Sequence, residues 1–242
     1  MNAITKTVSE GVNMSLQPDC YLSEGIPMSE EEYLATEPYC EIRREYIDGY
    51  AYAMSGASSN HNLLAGNLFG HFWNHLRGKA CSAFMSDIKV PLKLVAGNNY
   101  VYPDLVVDCD KTGENRYSAR NPILIVEVLS GSTRKLDQTT KLLRYINLPS
   151  LQEYIMVEQD IVLITVLRKS NHWQPENYYF GDSVTFESIG LTLSVEDIYE
   201  RVDNNEMAGH LLQKQMSKET VTVDMVIEPL SSADFVDSII KG

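Results

Sequence analysis

"NPILIVEVLS" (Asn121–Ser130) holds six aliphatic residues around a single acid, Glu127. A near-continuous apolar run of this length reads as a strand buried on both faces, the kind that sits centrally in an α/β sheet. Next comes "RKLDQTTKLLRYINL" (Arg134–Leu148), closed by Pro149. Its spacing predicts a helix with Leu136, Leu143 and Ile146 packing, and with Arg134, Asp137, Lys141 and Tyr145 on a common polar face. A buried strand that feeds a helix points to the α/β class, with a mixed sheet and helices beside it.

A second interrupted strand lies upstream. In "YVYPDLVVDCD" (Tyr100–Asp110), Leu105, Val106 and Val107 follow Asp104 directly. A carboxylate set against an apolar strand costs free energy unless something cationic meets it. Asp104 and Glu127 are 23 residues apart, enough for a linker between neighbouring strands, and on adjacent strands they would converge. Two such acids repel unless they share a proton or a cation, and oxygen ligands of this kind suit Mg2+ or Mn2+. Lys141 on the next helix could orient a water or offset a developing negative charge, and Arg134 and Arg144 could hold phosphates. The alternatives stay open: Asp104 as a turn residue after Pro103, and Glu127 in an inert ion pair with Lys141 or Arg134.

Other elements surround these two. Residues 1–25 carry no periodicity and read as a loose extension. "MSEEEYLA" begins a helix with Ser29 as N-cap and Glu32 in a capping box. "REYIDGYAYAMSG" is a hairpin around Asp48-Gly49. "SSNHNLLAGNLFGHFWNHL" is a helix in which Leu64, Leu68, Trp73 and Leu76 recur, capped by Ser58 or Ser59. "CSAFMSDIKVPL" is a strand candidate, and a further hairpin turns at Gln159-Asp160. One domain is expected over residues 26–202, followed by an acidic tail over 203–242 with one helix near Glu206–Gln215.

The formal charge is −13, but residues 43–186 hold fourteen acids and fifteen bases, a net of +1. The excess of acid therefore sits at the two ends, and a local basic groove remains compatible with the middle. Four scattered cysteines, Cys20, Cys40, Cys81 and Cys109, form no C-x-x-C pair and are expected to be reduced thiols of a cytoplasmic protein. No apolar run approaches the roughly 20 residues of a membrane span.

"YPDLVVDCD" together with "LIVEVLSGSTRKLDQTTKLLRYINLPSLQEYIMVEQD", and the earlier "EYIDGYAYAMSGASSNHNLLAGNL", resemble the Uma2 (DUF820) family of restriction-endonuclease-like proteins, over about Met28–Tyr199. The resemblance implies the PD-(D/E)XK nuclease fold and metal-dependent phosphodiester hydrolysis, leaving 5′-phosphate and 3′-hydroxyl ends. On this resemblance Asp104 and Glu127 are the expected metal ligands, joined by the Val128 carbonyl, with Mg2+ or Mn2+ as cofactor and DNA as the expected nucleic acid. Leu129 stands where the E-x-K lysine would be, and Lys141 is the candidate replacement. Glu45 matches an acid near the start of the family core, and His61 a position after the hairpin that could touch substrate or orient Glu45. Asp87 matches a recurrent position and could add to the site or be an edge or turn residue. Tyr145 could hydrogen-bond within the site or simply pack. A homodimer is expected by analogy with nucleases of this fold. The competing reading is an inactive module of the same fold that binds nucleic acid or a protein partner.

Overall fold

The computed structural model describes residues 25–54, 56–94, 97–110, 117–131, 137–213 and 216. Its strands, in chain order, are β1 (Ile26–Pro27), β2 (Arg44–Ile47), β3 (Tyr50–Ala53), β4 (Ser82–Met85), β5 (Val90–Leu94), β6 (Gly97–Val101) and β7 (Leu105–Asp108). They continue with β8 (Pro122–Leu129), β9 (Glu153–Glu158), β10 (Ile164–Arg168), β11 (Pro175–Tyr178), β12 (Ser183–Phe186) and β13 (Leu191–Ser194). The helices are α1 (Glu30–Thr36), α2 (Ser59–Leu76), α3 (Leu142–Tyr145), α4 (Val195–Ile198) and α5 (residues 205–213).

The chain groups into two compact units. One lies within Met1–Gly56 and Pro91–Val101, the other within Ala57–Val90 and Tyr102–Gly242. The first carries a five-stranded sheet of order β1-β3-β2-β6-β5. Asp48 and Gly49 both take positive φ (52° and 87°) in the turn between β2 and β3, the left-handed pair that matches hairpin twist. Ser29 caps α1 by accepting the Glu32 N–H. Tyr33 stacks on Tyr46 and Tyr100, with ring centroids 5.1 and 5.5 Å away, and these rings form the small core of the unit.

The second unit is built on a six-stranded mixed sheet, β11-β10-β9-β8-β7-β4, in which β8 and β9 run parallel and the other neighbours antiparallel. On one face Leu105, Val107, Leu124, Val126, Val128, Ile155 and Val157 share a core with Leu64, Ala65, Leu68 and Phe72 of α2. Ser58 caps that helix by accepting the His61 N–H. Phe72, not Trp73, faces the core; Trp73 is 52% exposed and stacks on Phe69. Side chains alternate along a strand, so Val106, Ile125, Glu127 and Tyr154 project from the opposite face. There Tyr145 of α3 lies on Tyr154, centroids 5.1 Å apart.

Three sequence expectations are corrected here. "CSAFMSDIKVPL" is two strands of different sheets, β4 and β5, because the chain turns at Ser86–Asp87. The helix after β8 has its faces reversed: Leu143 is 62% exposed, whereas Asp137, Lys141 and Tyr145 are buried. Leu136 lies outside the described residues. Cys81 and Cys109 are not free thiols but a disulfide. The register that sets Ser82 opposite Asp108 brings these two next to each other, a pairing across 28 residues that no local cysteine spacing announces. The thiol argument for a cytoplasmic location goes with it. Among the described residues no helix is long and apolar enough to cross a membrane.

Candidate active site

The β7–β8 ladder positions the two acids. Leu105 pairs with Val126, and both point into the α2 core. Asp104 directly precedes β7, one residue before this pair, and Glu127 follows Val126 on β8 and projects from the other face. Asp104 Oδ2 accepts the Val128 N–H at 2.7 Å and lies 3.2 Å from Nε2 of His61, one turn ahead of the Leu64/Ala65 stripe on α2. Asp104 faces a histidine and a strand amide, and the turn-residue reading of it accounts for neither contact.

Glu127 is 3% exposed. Its Oε1 accepts from the Tyr145 hydroxyl at 2.8 Å and from Lys141 Nζ at 3.3 Å. Lys141 also lies 3.2 Å from Asp137 Oδ1, so one ammonium is flanked by two carboxylates. That second contact is ionic without hydrogen-bond geometry, and Asp137 Oδ1 is buried with no hydrogen bond among the described residues. The π-turn Asp137–Lys141 runs directly into α3. In a regular α-helix residues four apart drift by about 40° around the axis. One underwound turn takes back that drift and keeps Asp137, Lys141 and Tyr145 in line over the sheet. Tyr154 donates from its hydroxyl to the Asp137 carbonyl oxygen at 3.2 Å, tying the start of the turn to β9. Burial, then the surrounding carboxylates, hold the Tyr154 phenol well above its ordinary pKa, so it stays a donor.

His61 is pulled two ways. Burial lowers its pKa, but the hydrogen bond and charge of Asp104, the charge of Asp137 and the Val128 carbonyl together raise it above its ordinary value. A histidine whose folded pKa is raised stabilises the protein fully below its unfolded pKa and loses that contribution as pH rises through the folded one. In metal-free buffer, His61→Asn is therefore expected to cost more stability at about pH 6 than at about pH 9. Denaturant unfolding of both proteins at the two pH values checks this, and an equal cost at both would sink it.

The remaining sequence candidates fall as follows. Val128 supplies its N–H to Asp104. Glu45 belongs to the other compact unit, where it is buried and pairs with Tyr52 across the hairpin. Asp87 is exposed in the turn after β4, not a strand residue. Arg134 lies outside the described residues. Asp137 and Tyr154 were not singled out as site residues. Asp137 was visible only as one of four polar residues at helical spacing, and Tyr154 as an unremarkable strand aromatic.

The donor chemistry fits a hard divalent cation. Two carboxylates and a main-chain carbonyl are all-oxygen ligands, and Mg2+ takes one or two carboxylates while keeping several waters. Among the described residues no group of three His, Cys, Asp or Glu side chains is arranged around one point, as a closed zinc-type site would need. The cluster sets, among the described residues, three carboxylates, Asp104, Glu127 and Asp137, against Lys141 and His61, and buried carboxylates are costly unless cations meet them.

Three comparisons bear on the chain. Residues 30–196 match the family model Uma2, described as "Putative restriction endonuclease". An uncharacterized Synechocystis protein, slr1290, is 38% identical over 175 residues, covering 71% of this chain and 91% of that protein. A second, sll1609, is 34% identical over 131 residues, 53% of this chain and 73% of that protein. Among solved structures, a "putative nuclease belonging to DUF820" from Anabaena variabilis superposes with a TM-score of 0.59 at 18% identity, covering 72% of this chain and 98% of that one. At that identity the likeness concerns the fold, which is restriction-endonuclease-like.

Proposed function

Since the chain belongs to the Uma2 family, we propose that it is a metal-dependent endonuclease that hydrolyses phosphodiester bonds in DNA. The observation that carries the reading is that Asp104, directly before β7, and Glu127 of β8 flank the Leu105–Val126 pair, with Lys141 against Glu127. Asp104, Glu127 and the Val128 carbonyl would hold Mg2+ or Mn2+. When bound, such an ion supplies Lewis-acid polarisation of a phosphate and a more acidic water. Lys141 brings a fixed positive charge to the side of Glu127, where it orients a water or a phosphate oxygen and offsets charge that develops on the phosphorane. Tyr145 helps to fix the Glu127 carboxylate by donating its hydroxyl to Oε1. The near-neutral charge of residues 43–186 supports a polyanionic substrate better than the whole-chain value suggests. A module kept only for binding would have no use for a buried lysine between two carboxylates, since matched apolar side chains would be as stable there.

The test is nicking of supercoiled plasmid at low salt with Mg2+, with Mn2+ and with excess EDTA. Nicking that needs either metal and stops with EDTA supports the proposal. Lack of nicking with both metals, or nicking that persists in EDTA, sinks it.

A further inference from the structure

We propose that Asp137 is a positioning residue of this site: with the Asp137–Lys141 π-turn it holds the Lys141 ammonium against Glu127, and acts on the reaction through that lysine. The inference rests on the nuclease reading above and adds a residue that the reading does not use.

The geometry supplies the argument. Lysine is a point charge on a flexible stem, and here its ammonium lies 3.3 Å from Glu127 Oε1. Asp137 adds a second contact at 3.2 Å from the preceding turn of the same helical segment. Both partners of this second pair are almost completely enclosed, Asp137 at 2% exposure and Lys141 at 5%, so it is not a screened surface pair of small effect. The Asp137 backbone is fixed in turn by the Tyr154 hydroxyl on β9, the strand parallel to β8. Glu127 and Asp137 are thus anchored to neighbouring strands, and the ammonium is held between them. A π-turn is rare and frequent at functional sites; here it brings Asp137 into line with Lys141 and Tyr145. Two carboxylate oxygens at 3.3 and 3.2 Å from one ammonium restrict its direction as well as meeting its charge.

The experiment uses the full chain as wild type, Asp137→Asn, Lys141→Met and the double variant, each first shown to be folded by thermal unfolding. Single-turnover nicking of supercoiled plasmid is followed at saturating Mg2+ over a range of plasmid concentrations. In parallel, acylation of Lys141 by acetic anhydride is followed by peptide mass spectrometry without metal or DNA. Asp137→Asn is expected to lower the saturating rate about ten- to a hundredfold, since misplacing a reacting group by an ångström costs on this scale. The plasmid concentration at half-maximal rate should stay the same. The double variant should be no slower than Lys141→Met, because a residue that acts through the lysine has nothing left to act on. Lys141 should be acylated several-fold faster in Asp137→Asn than in wild type. Multiplying losses in the double variant, or unchanged acylation, would overturn the inference. Absence of nicking by every protein overturns the nuclease reading instead, and acylation then still decides whether Asp137 places the ammonium. Should Asp137→Asn fail to fold, the smaller Asp137→Ser takes the same measurements.

Discussion

Asp104→Asn is expected to lower metal-dependent plasmid nicking by about a thousandfold or more while shifting the melting temperature by only a few degrees. The substitution keeps the shape of the side chain, and an amide oxygen can still accept the Val128 N–H that Asp104 Oδ2 now takes at 2.7 Å. The interaction that orders the end of β8 is therefore kept. What disappears is the negative charge, and with it the attraction to a divalent cation and to the His61 ring 3.2 Å away. One preorganised donor to developing charge is worth about a hundred- to a thousandfold in other hydrolases, and a ligand that holds the metal supplies several kcal/mol at once. Each ~1.4 kcal/mol is a factor of ten in rate, so a loss of about 4 kcal/mol gives the thousandfold. Mn2+ binding followed by calorimetry should weaken in parallel. Nicking by the variant at the wild-type rate would place the activity elsewhere or in a contaminant. Nicking lost together with a large drop in melting temperature would show that Asp104 serves the fold rather than the cation.

Much of this site could be read from the sequence because its residues break local rules. Glu127 interrupts an aliphatic run and Asp104 stands at the mouth of another, and each anomaly proved to be a buried or half-buried acid with specific partners. The Asp48-Gly49 hairpin and the Ser29 and Ser58 caps were legible for the same reason, since each depends on a few neighbouring residues. What stayed hidden depends on long-range pairing. Polar periodicity grouped Asp137, Lys141 and Tyr145, which do share a face, but did not show that this face turns inward. A polar stripe normally seeks water, and only the presence of Glu127 beneath it reverses the preference. Asp137 was hidden by the same default. The Cys81–Cys109 bridge follows from the β4–β7 register, and the division of "CSAFMSDIKVPL" between two sheets from how its halves pair, neither of which leaves a local mark.

Arg168→Met is expected to destabilise the protein by about 3–5 kcal/mol, the cost of leaving a buried charge without its partner. Glu153, fully enclosed at the start of β9, accepts from Arg168 Nε at 3.2 Å, from the Glu187 and Ser188 N–H groups at 3.0 and 2.8 Å, and from the Ser188 hydroxyl. Arg168 in turn donates to the Thr185 carbonyl at 2.7 Å and to Glu176 and Tyr178 on β11. One guanidinium therefore ties β9, β10 and β11 to the β12–β13 hairpin, and its planar fork cannot be replaced by a lysine. Removing it leaves Glu153 charged, buried and held by neutral donors alone. For a chain of this size each kcal/mol moves the melting temperature by about 2–4 °C, so the midpoint should fall by roughly 6–20 °C. Arg201→Met, which removes the exposed Glu200–Arg201 pair, should change it by less than about 2 °C. Arg168→Met combined with Glu153→Gln should recover part of the loss, because the stranded charge goes with its partner. Equal midpoints for Arg168→Met and wild type would mean that water or a neighbour replaces the guanidinium. A fall in the midpoint with wild-type nicking per folded molecule at low temperature would separate this network from the Asp104–Glu127–Lys141 site, whose strand β8 pairs with β9 but which has none of the network's contacts.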